Sequence, residues 1–155
     1  MPTVSVGAPP LYADRRTGRT FANAFEMIDA YLARYASVLP DVLEPLDATG
    51  YAQIKRGTIP IGVNVLEDNG VLMVLAPLMA VPDERREAFY RKLLELSFLA
   101  TSDAAFAIDG TKDLVYVRAL RRLSGLDYEE LEALLQTVGA VADDWDEQLR
   151  QEFGG

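Results

Sequence analysis

Two consecutive apolar runs, one alternating and one continuous, constrain the fold of this chain more than any other feature. In residues 59–65, Ile and Val occupy every second position, the period-two pattern of a strand with one buried face. Asp68, Asn69 and Gly70 follow, and these residue types tolerate the positive φ angles of a tight turn. Residues 71–78 are apolar on both faces, which favours a central strand. The sequence therefore predicts an antiparallel hairpin.

A helix is predicted on each side of this hairpin. The first is expected over residues 21–39, where apolar side chains recur at spacings of three and four, with Thr20 as its cap and Pro40 at its end. The second is expected over residues 82–100, because Pro82 is tolerated in a first turn and two acids follow it. Its second half is apolar on more than one side.

A third and longer helix is predicted at the end of the chain. Asp127 is expected to begin it, with Glu130 three residues on as a capping box. Apolar residues then mark one face as far as Phe153, giving about 26 residues and roughly 39 Å. Gly139 is a candidate position for a bend. A helix of this length exceeds what a small sheet covers, so its end is expected to project or to pack on another chain.

Three more strands complete the predicted sheet. Residues 51–56 are a weak candidate, whereas 104–108 and 114–120 flank a turn over residues 109–113. The predicted fold is α+β, a single antiparallel sheet of about five strands with three helices, in the order α-β-β-β-α-β-β-α. Residues 1–20 are expected to form an irregular N-terminal arm with a short edge piece at residues 4–6. Residues 21–155 are expected to form one domain.

The chain has no histidine and no cysteine in 155 residues. This excludes histidine-dependent catalytic triads, zinc fingers and thiol chemistry, so the prediction is that the protein is not an enzyme. No glycine-rich nucleotide motif is present. Asp109, Thr111 and Asp113 have a spacing similar to that of a calcium loop, but the downstream Glu is missing and a hairpin turn is favoured. No catalytic residue, no metal site and no cofactor are therefore predicted.

Charge is unevenly distributed along the chain. The net charge is −9, and residues 123–155 hold nine acids against Arg150 alone. This balance disfavours nucleic acid and suits a basic protein partner, although a solvated acidic helix face explains it equally well. The N-terminal residues lack the pattern of a signal peptide, and no apolar stretch is long enough to span a bilayer. A cytoplasmic protein without membrane contact is expected.

The second half of the chain carries a family resemblance. The helix REAFYRKLLELSFLA is followed by AAFAIDGTKDLVYVRALRRLSGLDYEELEALLQTVGAVADDWDEQL. This order of helix, strand ending in Ile-Asp, turn, strand and Leu-rich helix resembles the bacterial YbjN-like family. That family shares its fold with the type III secretion chaperones of the Tir/CesT class. The resemblance implies a small, non-enzymatic homodimer that holds a segment of a client protein and needs no cofactor.

Two apolar surfaces are candidate interaction sites. The second helix is apolar on more than one side, which predicts a homodimer interface because a monomer rarely leaves such a patch in water. Its predicted interface residues are Phe89, Tyr90, Leu93, Leu94, Leu96 and Phe98. The first helix is expected to offer pockets to a partner, although a plain core role is as well supported. Its predicted partner-binding residues are Phe21, Phe25, Ile28 and Leu32.

The predicted function is a chaperone-like or adaptor protein that binds a segment of another protein as a homodimer, without ATP. A small-ligand-sensing regulatory module is the alternative. An exposed sheet edge would offer unpaired backbone groups to an extended partner segment. The acidic last helix would make association with basic clients sensitive to salt.

Overall fold

The computed structural model describes residues 11–39 and 43–154, and it confirms the predicted element order. The predicted edge piece at residues 4–6 lies outside the described residues. A 3-10 turn, Glu67–Asn69, lies between the two strands of the predicted hairpin. The main elements are α1 (Ala24–Ala36), β1 (Tyr51–Arg56), β2 (Ile59–Leu66), β3 (Val71–Ala80), α2 (Arg86–Leu99), β4 (Ala105–Asp109), β5 (Leu114–Arg122) and α3 (Tyr128–Phe153).

The five strands form one antiparallel sheet in the order β1-β2-β3-β5-β4. The predicted hairpin is β2–β3, and Gly70 takes a φ of 66° in its turn. β3 is central, as its apolar faces predicted. β5 continues two residues beyond its predicted end because Arg121 and Arg122 pair with the start of β3. The edges of the sheet are β1 and β4.

The two faces of the sheet differ in burial. Along β3, Leu72, Val74 and Ala76 are fully buried, whereas Val71 and Met73 are only half-buried. All three helices contact the sheet on the buried side: α3 packs on β2, β3 and β5, α1 on β2, and α2 on β4. We call this side the inner face. The opposite side, the outer face, is covered by no described helix.

Helix α1 is shorter than predicted at both ends. Its cap is Asn23 and not Thr20, because the Asn23 side chain accepts a hydrogen bond from the Glu26 N–H at 2.9 Å. The helix ends at Ala36, where the Ser37 N–H bonds back to Ala33. Residues 11–20 precede it as a turn in which Ala13 pairs with Thr20.

Helix α2 begins at Arg86, several residues later than the predicted start at Pro82. Arg85 has a φ of 56°, in the left-handed region, so the chain turns sharply before the helix. The Arg85 guanidinium lies 4.8 Å from the centre of the Phe153 ring, and Nη1 donates to the Glu152 carbonyl at 2.9 Å. This arginine joins the start of α2 to the end of α3.

Helix α3 has the predicted 26 residues and the predicted bounds, with Asp127 as its N-cap and Phe153 as its last residue, but the contacts at its ends differ from expectation. The predicted capping box is wrong: the Asp127 carboxylate accepts from the Arg15 N–H at 2.8 Å and caps no N–H of its own helix. The predicted projection is also wrong. Leu149 and Phe153 are buried, and the Phe153 ring packs 5.1 Å from that of Phe89. Helix α2 thus covers the surplus length of α3.

Gly139 allows α3 to approach the sheet closely. A Cβ at this position would lie 2.6 Å from Arg56 Cδ and 3.1 Å from Ile61 Cδ1. Close packing against the sheet therefore explains this glycine. Among the described residues, none of the helices has both the length and the apolar character that a membrane span requires.

Candidate interaction surfaces

Most of the α1 stripe belongs to the core. Ile28 is fully buried, Leu32 is 1% exposed and Phe21 is 9% exposed. Phe25 is half-buried, with its ring against Gly50. The core role therefore describes Phe21, Ile28 and Leu32 in this conformation, and only Phe25 is accessible among the four predicted partner-binding residues.

The residues predicted on α2 divide into a buried and an exposed set. Phe89 is fully buried and Leu93 nearly so, and both contribute to the core. Tyr90 and Leu96 are half-buried. By contrast, 74% of Leu94 and 89% of Phe98 are exposed. The structure brings Leu94 and Phe98 to the surface on the side of α2 that faces away from the core.

Strand β4 extends this exposed surface. Tyr90, Leu93, Leu94, Phe106 and Ile108 line a groove of about 320 Å³ between α2 and β4. We name Tyr90, Leu94, Phe98, Leu99, Phe106 and Ile108 the α2–β4 surface. Its strand is a sheet edge, so one side of β4 has no neighbouring strand, although the Phe106 N–H donates to the Ser97 hydroxyl of α2 at 3.1 Å.

Sequence reasoning missed three residues of the α2–β4 surface. Leu99 is 81% exposed, Ile108 is 39% exposed, and Phe106 is half-buried. A signal for the two strand residues was present, because Phe106 and Ile108 alternate along a short strand that immediately follows the apolar helix. Sequence alone did not show that this strand lies at an edge.

The outer face of the sheet is a second open surface, and sequence reasoning did not single it out. Its middle is apolar, with half-exposed residues on the central strands. Three cations also lie on this face by strand alternation: Lys55 on β1, and Arg118 and Arg122 on β5. Its apolar residues include Tyr51, Met73, Leu75, Tyr116 and Leu120.

A larger cleft of about 800 Å³ lies between the β3–α2 connection and the last turn of α3. Its two arginines are already bonded within the protein. Arg150 donates to Asp146 at 2.7 Å and to the Leu78 carbonyl, and Arg85 donates to the Glu152 carbonyl. The hydrogen bonds of these two arginines therefore join the end of α3 to the β3–α2 connection across the cleft.

The acidic residues considered for metal binding are engaged elsewhere. The Asp109 carboxylate accepts from the Thr111 hydroxyl at 2.6 Å, which lowers the pKa of Asp109 and closes the β4–β5 turn. Asp113 pairs with Arg86 at 3.5 Å. No group of three or more acids within residues 11–39 and 43–154 is placed to hold a metal ion.

The fold is similar to chains in several solved complexes. The ExsC–ExsE complex contains one that is 22% identical, with a TM-score of 0.66, and the match covers 82% of this chain and 96% of that one. The ExoU–SpcU complex of the Pseudomonas aeruginosa type III secretion system contains another, 17% identical, with a TM-score of 0.60 and coverage of 78% and 96%.

A third similar chain occurs in the HopA1–SchA chaperone–effector complex. It is 15% identical with a TM-score of 0.59, and the match covers 77% of this chain and 89% of that one. At these identities the likeness shows the fold. No curated relative matches the sequence.

A family model gives the more specific result. The model of the Tir chaperone protein (CesT) family matches residues 44–146, which include every strand and most of α3. This match spans well over half of the sequence and agrees with the fold. The chain therefore belongs to the Tir chaperone protein (CesT) family.

Proposed function

We propose that this protein is a non-enzymatic chaperone that holds a segment of a partner protein, acts as a homodimer and uses no ATP. Its family and its likeness to a chain in a chaperone–effector complex support the chaperone role. The observation that carries the proposal is the pair of open apolar surfaces, the α2–β4 surface and the outer face. One accounts for dimerisation, and the other leaves a site for a partner.

The homodimer is proposed at the α2–β4 surface. Leu94, Phe98 and Leu99 are all more than 70% exposed, and the groove beside them is almost wholly apolar. A patch of this kind, next to the edge strand of a sheet, is typical of a protein–protein contact. Of the six residues predicted for the interface, Phe89 and Leu93 would act indirectly, by supporting α2 from the core.

Light scattering tests the dimer directly. The wild type is expected to show twice the chain mass of 17.1 kDa, and Phe98→Asp is expected to show the chain mass alone. Val38→Asp is the matched control, since Val38 is 80% exposed and lies two residues after the end of α1. A wild-type mass of one chain at micromolar concentration, or a Phe98→Asp variant that remains a dimer, would contradict the proposal.

Partner contacts at α1 remain a prediction, which in this conformation involves Phe25. A basic region in the partner also remains a proposal, supported by the exposed acids Asp144 and Glu147 of α3. Membership of the narrower YbjN-like family and a cytoplasmic location also remain predictions.

Partner binding is tested by co-purification from native cells. We expect the wild type to retain a bound protein without added ATP. We expect the Phe25→Ala variant to retain less of that protein than the wild type does. If no protein is retained but a small molecule co-purifies in stoichiometric amount, the alternative of a small-ligand-sensing module replaces this proposal.

A further inference from the structure

Arg118 lies in the middle of the outer face. It is on β5, where its cross-strand neighbours are Leu75 of β3 and Ala105 of β4. Tyr116 and Leu120 flank it on the same face, two residues away along the strand. The Arg118 side chain thus leaves the sheet at a position whose four neighbours on this face are apolar or aromatic.

Arg118 differs from Arg121 and Arg56 in having a buried donor that is unsatisfied. Arg118 Nε is buried and has no hydrogen-bond partner within the described part of the chain. Arg121 of the same strand pairs with Asp103 at 2.8 Å, and Arg56 pairs with Asp143 at 3.3 Å. A buried charged donor without an acceptor costs free energy. Arg118 as a whole is only half-buried, so an acceptor that a partner brings to its guanidinium would offset this cost.

The charge around Arg118 specifies the acceptor. Lys55, Arg118 and Arg122 give the outer face three cations, although the whole chain has a net charge of −9. The acid on the described strands of this face is Asp109, at its corner, and its carboxylate already accepts from Thr111. A carboxylate brought by a partner would meet cations here and no competing acid at the centre.

We propose that the outer face binds a partner segment that is apolar and acidic, with its apolar side chains on Met73, Leu75 and Leu120 and a carboxylate on Arg118. This inference rests on the proposed function and specifies the client chemistry at one of its surfaces. It also reverses, for this face, the preference for basic clients that the acidic α3 suggests. Arg118 is then the residue that determines specificity.

A random peptide library displayed on phage tests this chemistry even while the client is unidentified. Selection on the immobilised wild-type protein is expected to enrich peptides that combine apolar residues with Asp or Glu. Their affinity for Arg118→Gln should fall about tenfold or more, the usual effect of losing a charge-assisted hydrogen bond. Lys112→Gln is the matched control, because it removes one exposed cation in the β4–β5 turn and should leave affinity unchanged.

A second measurement uses the wild type alone, so it does not depend on how the variant folds. The Nε–H signal of Arg118 in a nitrogen–proton NMR spectrum should shift when a selected acidic peptide is added, and should not shift with its Glu→Gln analogue. Absence of this shift would overturn the proposal, as would equal affinity of the peptide for wild type and Arg118→Gln.

The remaining outcomes separate this inference from the proposed function. Enrichment of basic peptides would overturn the inference and leave segment binding intact. Failure to enrich any peptide would count against segment binding itself, and with it the inference. If Arg118→Gln reduces the mass in light scattering from two chains to one, the outer face is a contact between copies and the inference is wrong.

Discussion

Helices α1 and α2 have almost the same length, 13 and 14 residues, yet they use their apolar side chains in opposite ways. Five residues of α1 are buried, whereas α2 buries Phe89 and Leu93 and leaves Leu94, Phe98 and Leu99 in solvent. The comparison teaches that apolar content shows how much surface a helix can bury. Whether the same chain or a second molecule covers that surface depends on where the helix lies.

The position of α1 explains its burial. Its Tyr31 packs between Phe21 and Tyr128, with ring centres 5.7 Å and 5.9 Å away, and the Tyr31 hydroxyl donates to the Leu126 carbonyl. Asp29 also accepts from the Leu46 N–H at 2.9 Å, which holds the following loop against the helix. Helix α2 lies over the edge strand β4, so nothing in the described chain packs on its far side.

The largest effect on the free energy of unfolding is expected for a substitution in the buried helix α1. Leu32→Ala on α1 should lower the free energy of unfolding by about 3 kcal/mol, because it removes a fully packed side chain and leaves a cavity. Denaturant unfolding in the Phe98→Asp background, where we expect a monomer, measures this loss without a contribution from dimer dissociation. A loss below about 1 kcal/mol would mean that α1 is not the packed helix described here.

A smaller effect on the free energy of unfolding, one that depends on pH, is expected when Tyr31 is changed. Tyr31→Phe should cost about 1 kcal/mol at pH 7, since the Leu126 carbonyl loses its buried donor. Burial, together with the charges of Asp14 and Asp127, raises the pKa of Tyr31 well above its ordinary value of 10.0. Its contribution is therefore fully present below about pH 10 and is lost as pH rises further, because the unfolded chain ionises first.

The Tyr31→Phe variant should show a weaker decline in stability above about pH 10 than the wild type. Urea unfolding between about pH 8 and about pH 11 measures both slopes. Tyr128→Phe is the comparison variant. Burial raises the pKa of Tyr128 to about 12, so Tyr128 makes a separate contribution to the loss of stability at high pH, and that contribution remains in Tyr31→Phe. Parallel slopes in wild type and Tyr31→Phe would refute this role of the buried hydroxyl.

The smallest effect is expected on the exposed side of α2. Leu94→Ser should change the free energy of unfolding by less than about 0.5 kcal/mol in the Phe98→Asp background, because solvent already surrounds the side chain. In the wild-type background, for which we propose a dimer, the same change should reduce the dependence of Tm on protein concentration. A loss of about 2 kcal/mol in the monomeric background would show that α2 packs on its own chain and would remove the contrast with α1.

Local patterns predicted most of the fold correctly. The alternation in residues 59–65, the turn at Gly70 and the apolar run after it became β2 and β3, and the long apolar face became α3. Helix ends were predicted less well. Asn23 took the role assigned to Thr20, and Asp127 bonds to Arg15, which is 112 positions away. A cap depends on which backbone N–H a side chain meets, and a distant segment can compete for it.

The candidate surfaces were predicted only in part, for a related reason. Leu94 and Phe98 were identified from their helix, but Phe89 and Ile28, in equally apolar surroundings, proved to be core. Arg118 was visible in the sequence as one of several arginines near the end of β5. Its isolation from carboxylates became apparent only when Leu75 and Ala105 were found beside it.

The sequence by itself determined the element order, the antiparallel hairpin and the absence of histidine and thiol chemistry, because these depend on near neighbours and on composition. Only the tertiary structure decided that β4 is an edge, that α3 ends against Phe89 and not in solvent, and that the outer face is open and positively charged. Strand order and the covering of each face arise from contacts between distant residues. A single sequence specifies those contacts through packing that its local periodicity does not reveal.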